Sequence, residues 1–293
     1  MEQATASMSC RARSRAPVPE PADRADPVTY DVVMASHYPP VGNVEPMDAV
    51  RSCEDERAHR KTQCAIGYRI FGANRWGQLG DGHISARDPE FTDHFWVLDY
   101  GVPFTEATVG ALVLVGPDGA VAEGVAGSPK GAPNIAGYNI HWPVLAARPD
   151  CVSAAHTHTA FGTPWSANVE PFRAISQEST SFVFDQSLFD DEEVEVLTVD
   201  GGERIARTIG ATKLCILRNH GLLTVGQTVE EAVGWFVLAE RVAEVHVKAP
   251  NGKSISDEAA KIAASTMSDH EVGWRSFHWL ARSLVPDPSV VHD

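Results

Sequence analysis

Residues 154–168, AAHTHTAFGTPWSAN, place His156 and His158 two positions apart at the end of an apolar run. On a β-strand this spacing projects both imidazoles from the same face. Two neutral imidazoles converging on one point suit a transition metal, which then needs a third donor brought from elsewhere in the chain. His220, in the turn of KLCILRNHGLLTVG (213–226), is the candidate. A strand-end pair of histidines also serves as an ordinary hydrogen-bonded pair, and histidine ligation suits zinc, iron, nickel or copper alike.

Several elements must position these residues. CVSAAHTHT (151–159) reads as a strand, and GYNIHWPVLAARPD (137–150) before it as a short helix with Pro143 near its first turn, closing before Pro149. KLCILRNHGLLTVG reads as strand, turn at Asn219-His220-Gly221, and strand. Thr228 opens a helix that runs to Pro250, with Glu231 at capping-box spacing. The charged segment 44–74 is expected to be a helix ending near Gly72 to Asn74. ALVLVGPDGAVAEG (111–124) reads as a hairpin around Pro117-Asp118-Gly119. DHEVGWRSFHWLARSL (269–284) is an amphipathic helix expected to cover a neighbouring subunit, and DDEEVEV (190–196) a solvated face. Residues 1–27 combine Pro, Ala, Ser and charge and are expected to be a disordered tail, leaving 28–293 as one domain with a C-terminal helical extension.

Composition narrows the function. The 293 residues are 43% hydrophobic, enough for a sizeable core, and 39 acidic against 24 basic residues give a net charge of −15. That balance repels phosphate backbones and anionic membranes, so neither nucleic acid nor membrane is expected as a partner. Without a long apolar run or a signal-peptide core, a cytoplasmic protein is expected. Cys10, Cys53, Cys64, Cys151 and Cys215 are scattered and read as ordinary thiols. No internal repeat, dinucleotide-binding fingerprint, phosphate-binding Walker loop or nucleophile elbow is present.

ARPDCVSAAHTHTAFGT followed by LCILRNHGLLTVGQTVEEAVGWFVLAERVAEVHVKA resembles the class II aldolase/adducin family, in which an R-P-D…H-x-H strand and an R-N-H-G turn supply three histidines to a divalent metal. The resemblance runs from Asp48 to Ala249. LGDGHISARDPE (79–90) is similar to the family's G-N-x-S-x-R segment, with His83 in place of Asn. The resemblance implies an α/β fold, an α/β/α sandwich with a mixed, largely antiparallel central sheet, and a homo-oligomer, often a tetramer with the active site between subunits. It also implies His156, His158 and His220 as ligands of a divalent metal, Fe(II) favoured and Zn(II) the alternative.

The chain departs from the family's aldolases at one position. Aligned backward from RPD, Gly137 stands where they carry a catalytic glutamate, and loss of a positioned acid/base typically forfeits about 10²–10⁴-fold in rate. His83 and Glu178 are the candidates to replace it, ahead of Glu106 in a loop and Glu123 beyond a strand. Ser85, as the family's anion-holding serine, and His141, Phe161 and Trp165 are candidate substrate-binding residues. Phe161 and Trp165, just after the histidine pair, suit an aromatic acid, and only Arg87 and Arg75 offer charge for a phosphate. The expected activity is metal-dependent C–C cleavage of an aromatic oxo or hydroxy acid by a decarboxylase or lyase. Its leading version resembles the iron- and O2-dependent branch of aminocoumarin antibiotic (novobiocin, clorobiocin) biosynthesis, which oxidatively decarboxylates a prenylated 4-hydroxyphenylpyruvate through a mandelate. The alternatives are a zinc-dependent aldolase of a sugar phosphate or hydroxy acid, and a non-catalytic adducin-like binding module.

Overall fold

The apolar runs become seven strands: β1 (Gly82–Arg87), β2 (Phe95–Leu98), β3 (Leu112–Val115), β4 (Ser153–Thr157), β5 (Gln186–Phe189), β6 (Leu214–Leu217) and β7 (Gly221–Gly226). They form one sheet in the order β3-β2-β1-β4-β7-β6-β5 in a computed structural model that describes residues 41–292. Only the β5–β6 pair is parallel; the others are antiparallel. The helices are α1 (Cys53–Ala73), α2 (Ile135–Ala147), α3 (Gly162–Ser166), α4 (Val199–Ile209), α5 (Val229–Lys248), α6 (Asp257–Met267) and α7 (His270–Leu284). Helices α1 and α5 pack on one face of the sheet, with α7 outside α5, while α2 and α4 cover the other. This is the expected α/β/α sandwich around a mixed, largely antiparallel sheet. The stretch 1–27, expected to be a disordered tail, lies outside the described residues.

Both faces of the sheet are buried, which is why its strands read as continuous apolar runs such as LVLV and LCIL. Alternate side chains serve different cores: Leu222 faces the layer of Phe71, Trp235 and Phe236, and Leu223 the layer of Ile140, Val144 and Ile205. No described helix is long and apolar enough to cross a membrane.

Helix α1 begins where Ser52 Oγ accepts from Asp55 N at 3.1 Å, with Glu54, Asp55 and Glu56 in its first turn against the positive helix end. It stops at Ala73, as expected. Trp76 N donates to Phe71 O (3.0 Å) and Arg75 N to Gly72 O (2.9 Å), a Schellman closure with Arg75 in the left-handed region at φ +63°.

Three expectations are corrected. Helix α2 starts at Ile135, capped by Asn134, so Pro143 lies in its interior and not in its first turn. The proline withholds the N–H that Asn139 O would accept; α4 approaches there so closely that a Cβ on Gly202 would lie 1.7 Å from that oxygen. The 111–124 hairpin reduces to a single bridge, Val115 to Val121, and β3 pairs instead with β2. Helix α7 covers α5 of its own chain: a Cβ on Gly234 would lie 1.8 Å from Gly273 O, so the two backbones touch, and Trp274 and Phe277 are buried.

Candidate functional site

β4 lies between β1 and β7, which puts His156 opposite His83 on one side and Leu223 on the other. The strand ends at Thr157, where the Thr157 hydroxyl and His158 N both donate to Asp81 O, at 2.8 and 3.1 Å. This carries the His158 ring past the sheet edge but keeps it beside His156, with ring centroids 5.4 Å apart. Asn219, at φ +55°, turns the chain so that His220 comes back over the pair, 4.7 Å from His156 and 5.0 Å from His158. One nitrogen from each of the three rings lies within 4.8 Å of the others.

Protonation suits ligation. His156 is buried and its Nδ1 lies 2.8 Å from Leu222 O, so Nδ1 carries the proton and Nε2 keeps the free lone pair. Burial, helped by the neighbouring His220 and His83, holds the His156 pKa well below the usual histidine range. Burial and then His158 lower His220 to about 4. Both are therefore neutral at pH 7, the form a metal requires. His158, the most exposed of the three, turns Nδ1 toward Asp81 Oδ2 at 3.7 Å. The donor set fits a divalent transition metal.

A second line of polar groups runs beneath the trio. His83 Nδ1 is 2.7 Å from His141 Nε2, and His141 Nδ1 is 2.6 Å from Ser85 Oγ. All three are buried, and burial pushes the His83 pKa well down and His141 to about 3. The chain of hydrogen bonds can run either way, and its direction decides whether His83 Nε2 accepts or donates. The described side-chain atoms buried without a partner are Ser153 Oγ, Trp165 Nε1, Ser181 Oγ and His278 Nε2. His83 is buried, and its Nε2 has no hydrogen-bond partner among the described residues.

Residues 62–247 match the model of the Class II Aldolase and Adducin N-terminal domain. The chain belongs to the class II aldolase and adducin family. It is 34% identical over 241 residues to the decarboxylase NovR of Streptomyces niveus, covering 80% of this chain and 88% of that protein. It is also 34% identical over 227 residues to the 4-hydroxy-3-prenylphenylpyruvate oxygenase/4-hydroxy-3-prenylbenzoate synthase of Streptomyces roseochromogenus subsp. oscitans, covering 76% and 80%. The solved L-fuculose 1-phosphate aldolase from Glaciozyma antarctica PI12 superposes with a TM-score of 0.75 at 29% identity, over 85% of this chain and 97% of that one. With such relatives, the chain is an enzyme of the class II aldolase family.

Against the family pattern, Gly137 takes a structural meaning. A Cβ at 137 would lie 2.9 Å from Cγ and Cδ2 of the His83 ring, so the imidazole occupies the space that a glutamate stem would enter. Five other expected roles change. His141, expected to bind substrate, is fully buried with both ring nitrogens taken by His83 and Ser85, and is out of its reach. Ser85 is fully buried and engaged with His141, and is out of reach of a substrate anion. Trp165 is swung inward by the short α3 to pack on Phe172 and His246, and is core rather than pocket wall. Phe161 leans toward the end of α5, where Lys248 Nζ lies 5.1 Å from its centroid. Glu178 sits in a turn packed on α6 and α5 and makes no hydrogen bond or ring contact with the histidines. Arg87 likewise serves the fold, donating to four backbone carbonyls.

Beside His158 opens a cavity of about 620 Å³ lined by Asn74, Arg75, Trp76, Thr159, Thr163 and Pro164, among others. Its wall has an anchor that the sequence reading missed. Glu240 on α5 is buried and accepts from Thr159 Oγ1 (2.6 Å), Phe161 N (3.0 Å) and Gly162 N (2.7 Å), gripping the loop that follows His158. Burial raises its pKa. A glutamate in the apolar stripe of an amphipathic helix was the available signal.

Proposed function

We propose that this enzyme is a metal-dependent decarboxylase or lyase of an aromatic oxo or hydroxy acid. Its specific form is an Fe(II)- and O2-dependent oxidative decarboxylase of a 4-hydroxyphenylpyruvate or 4-hydroxymandelate, ring-prenylated or not. The observation that carries this reading is the pairing of a complete histidine trio with Gly137, whose missing side chain is replaced in space by the His83 ring. The relatives named decarboxylase and oxygenase support it.

His156, His158 and His220 would hold the ion. Among neutral imidazoles a divalent ion keeps its full charge, polarises the oxygen of an oxo or hydroxy acid and, as iron, supplies redox chemistry. His83 Nε2 holds or moves the proton at the reacting oxygen, its tautomer set by His141 and behind it Ser85. Trp76 offers the substrate ring an apolar wall, and Glu240 keeps the Thr159 side of the cavity in place. The reading includes a cytoplasmic homotetramer, in keeping with the family resemblance.

The test begins with metal analysis of anaerobically purified wild type, His220→Ala and His246→Ala. His220→Ala is expected to lose the metal. His246→Ala is expected to keep it, because His246 is a packing residue between Trp165 and Phe172 whose Nε2 accepts from Arg173 N at 2.8 Å. Oxygen uptake is then followed with Fe(II) and a panel of 4-hydroxyphenylpyruvates and 4-hydroxymandelates. Atom balance requires one O2 consumed per CO2 released, for pyruvate to mandelate and for mandelate to benzoate plus water. Bound metal without oxygen use returns the reading to a lyase or aldolase; a metal-free protein leaves a binding module.

A further inference from the structure

The cavity beside His158 has a cation at its mouth that the fold does not use. Arg75 lines the same cavity as His158 and Trp76, is exposed, and its guanidinium has no hydrogen-bond or ion-pair partner among the described residues. Arg57 is committed to Asp88 and Glu90, Arg148 to Asp150, Arg204 to Asp191, and Arg87 to backbone carbonyls; Arg241, exposed on α5, is also unpaired but does not line the cavity. The backbone at 75 is left-handed, at the helix-closing position where glycine is the residue of least strain. An arginine at this left-handed position, lining the cavity, is an unusual choice on structural grounds alone. Next to it Trp76 is held edge-on by Phe71 and Phe236, with centroids 5.6 and 5.9 Å away, which fixes its ring as a flat apolar wall. In a chain of net charge −15, one unpaired guanidinium at the entrance gives an anion a local place to land.

We propose that Arg75 is a substrate-binding residue that takes the carboxylate of the acid through its guanidinium, while Trp76 receives the aromatic ring. The planar donor fork matches a carboxylate bidentately, and a cavity of about 620 Å³ is ample for a one-ring acid. The proposal rests on the aromatic-acid reading of the site.

The experiment measures binding of 4-hydroxymandelate and of its neutral amide to the zinc-loaded protein by tryptophan fluorescence, in wild type, Arg75→Gly and Arg75→Lys. Arg75→Gly should weaken the acid by about 10- to 100-fold, the range for losing a charged hydrogen-bond partner, while leaving the amide within about two-fold. Arg75→Lys should recover part of the loss, since lysine keeps the charge without the fork. The melting temperature of Arg75→Gly should equal or exceed that of wild type, because glycine relieves the left-handed backbone, which separates lost binding from lost folding. Acid binding unchanged in Arg75→Gly overturns the anchor but leaves the aromatic-acid reading standing. Inorganic phosphate bound in an Arg75-dependent way, with no mandelate binding in wild type, overturns both the carboxylate assignment and that reading.

Discussion

At the residue scale the site works through protonation states that burial enforces. Three imidazoles with a nitrogen of each within 4.8 Å of the others would repel if charged; burial removes the charge from His156 and His220 and leaves lone pairs converging on one point. The absence of a side chain at Gly137 is equally local, since the Cβ of any residue at 137 meets the His83 ring. Gly137→Ala should therefore destabilise the protein by about 1–3 kcal/mol, as overpacking does. Paired with His83→Asn, which removes the ring, it should cost at least about 1 kcal/mol less than the sum of the two single changes. Urea unfolding of the four proteins measures this; strict additivity would show that the two positions do not compete for the same space.

At the element scale α5 does more than cover the sheet. Thr228 caps it by accepting from Glu231 N at 3.0 Å, and two turns from its end Glu240 reaches back to the loop after His158. Removing that carboxylate leaves Phe161 N and the Thr159 hydroxyl proton unpaired, leaves Gly162 N only its longer bond to Thr159 Oγ1 (3.2 Å), and frees the backbone that carries His158. Glu240→Ala is expected to weaken zinc binding about ten-fold or more, as loss of supporting partners does at metal sites, with Glu240→Gln between it and wild type. Competition with a chelating indicator reads the affinities directly. Unchanged zinc affinity in Glu240→Ala would confine Glu240 to a role in folding.

At the scale of the whole molecule, α7 is sealed onto α5 by touching glycines and by one buried carboxylate. Glu231 is 1% exposed and takes Gln227 N, Trp235 Nε1 and His270 Nδ1, tying the sheet end, the helix and α7 together. The Glu231 carboxylate raises the pKa of His270 above its ordinary 6.5, against the smaller opposing effect of burial. A raised histidine contributes stability fully below its unfolded pKa and loses it as pH climbs through the folded one. His270→Gln should therefore destabilise the protein more at about pH 5.5 than at about pH 9. The effect is moderated by solvent, because the His270 side chain is 57% exposed. Urea midpoints of both proteins at the two pH values check it, and a gap that widened at high pH would contradict the assigned pairing.

The sequence by itself determined what is local or tied to chemistry at fixed spacing. His156 and His158 share a strand, His220 sits on a tight turn, Thr228 starts a helix, and Gly137 has no side chain with which to act as an acid. Tertiary structure decided everything that depends on which faces meet. Nothing in the order of residues says that Ser85 turns away from the substrate to hold His141, that Trp165 is folded under α5 by a short helix, or that Glu178 lies against α6. Nor does it say that Gly202 of α4 packs against the Asn139 carbonyl from which Pro143 withholds a donor. The role of Glu240 was hidden for the same reason: a buried charge on a helix becomes intelligible only when the donors it pairs with, from a loop about 80 residues earlier, are seen beside it.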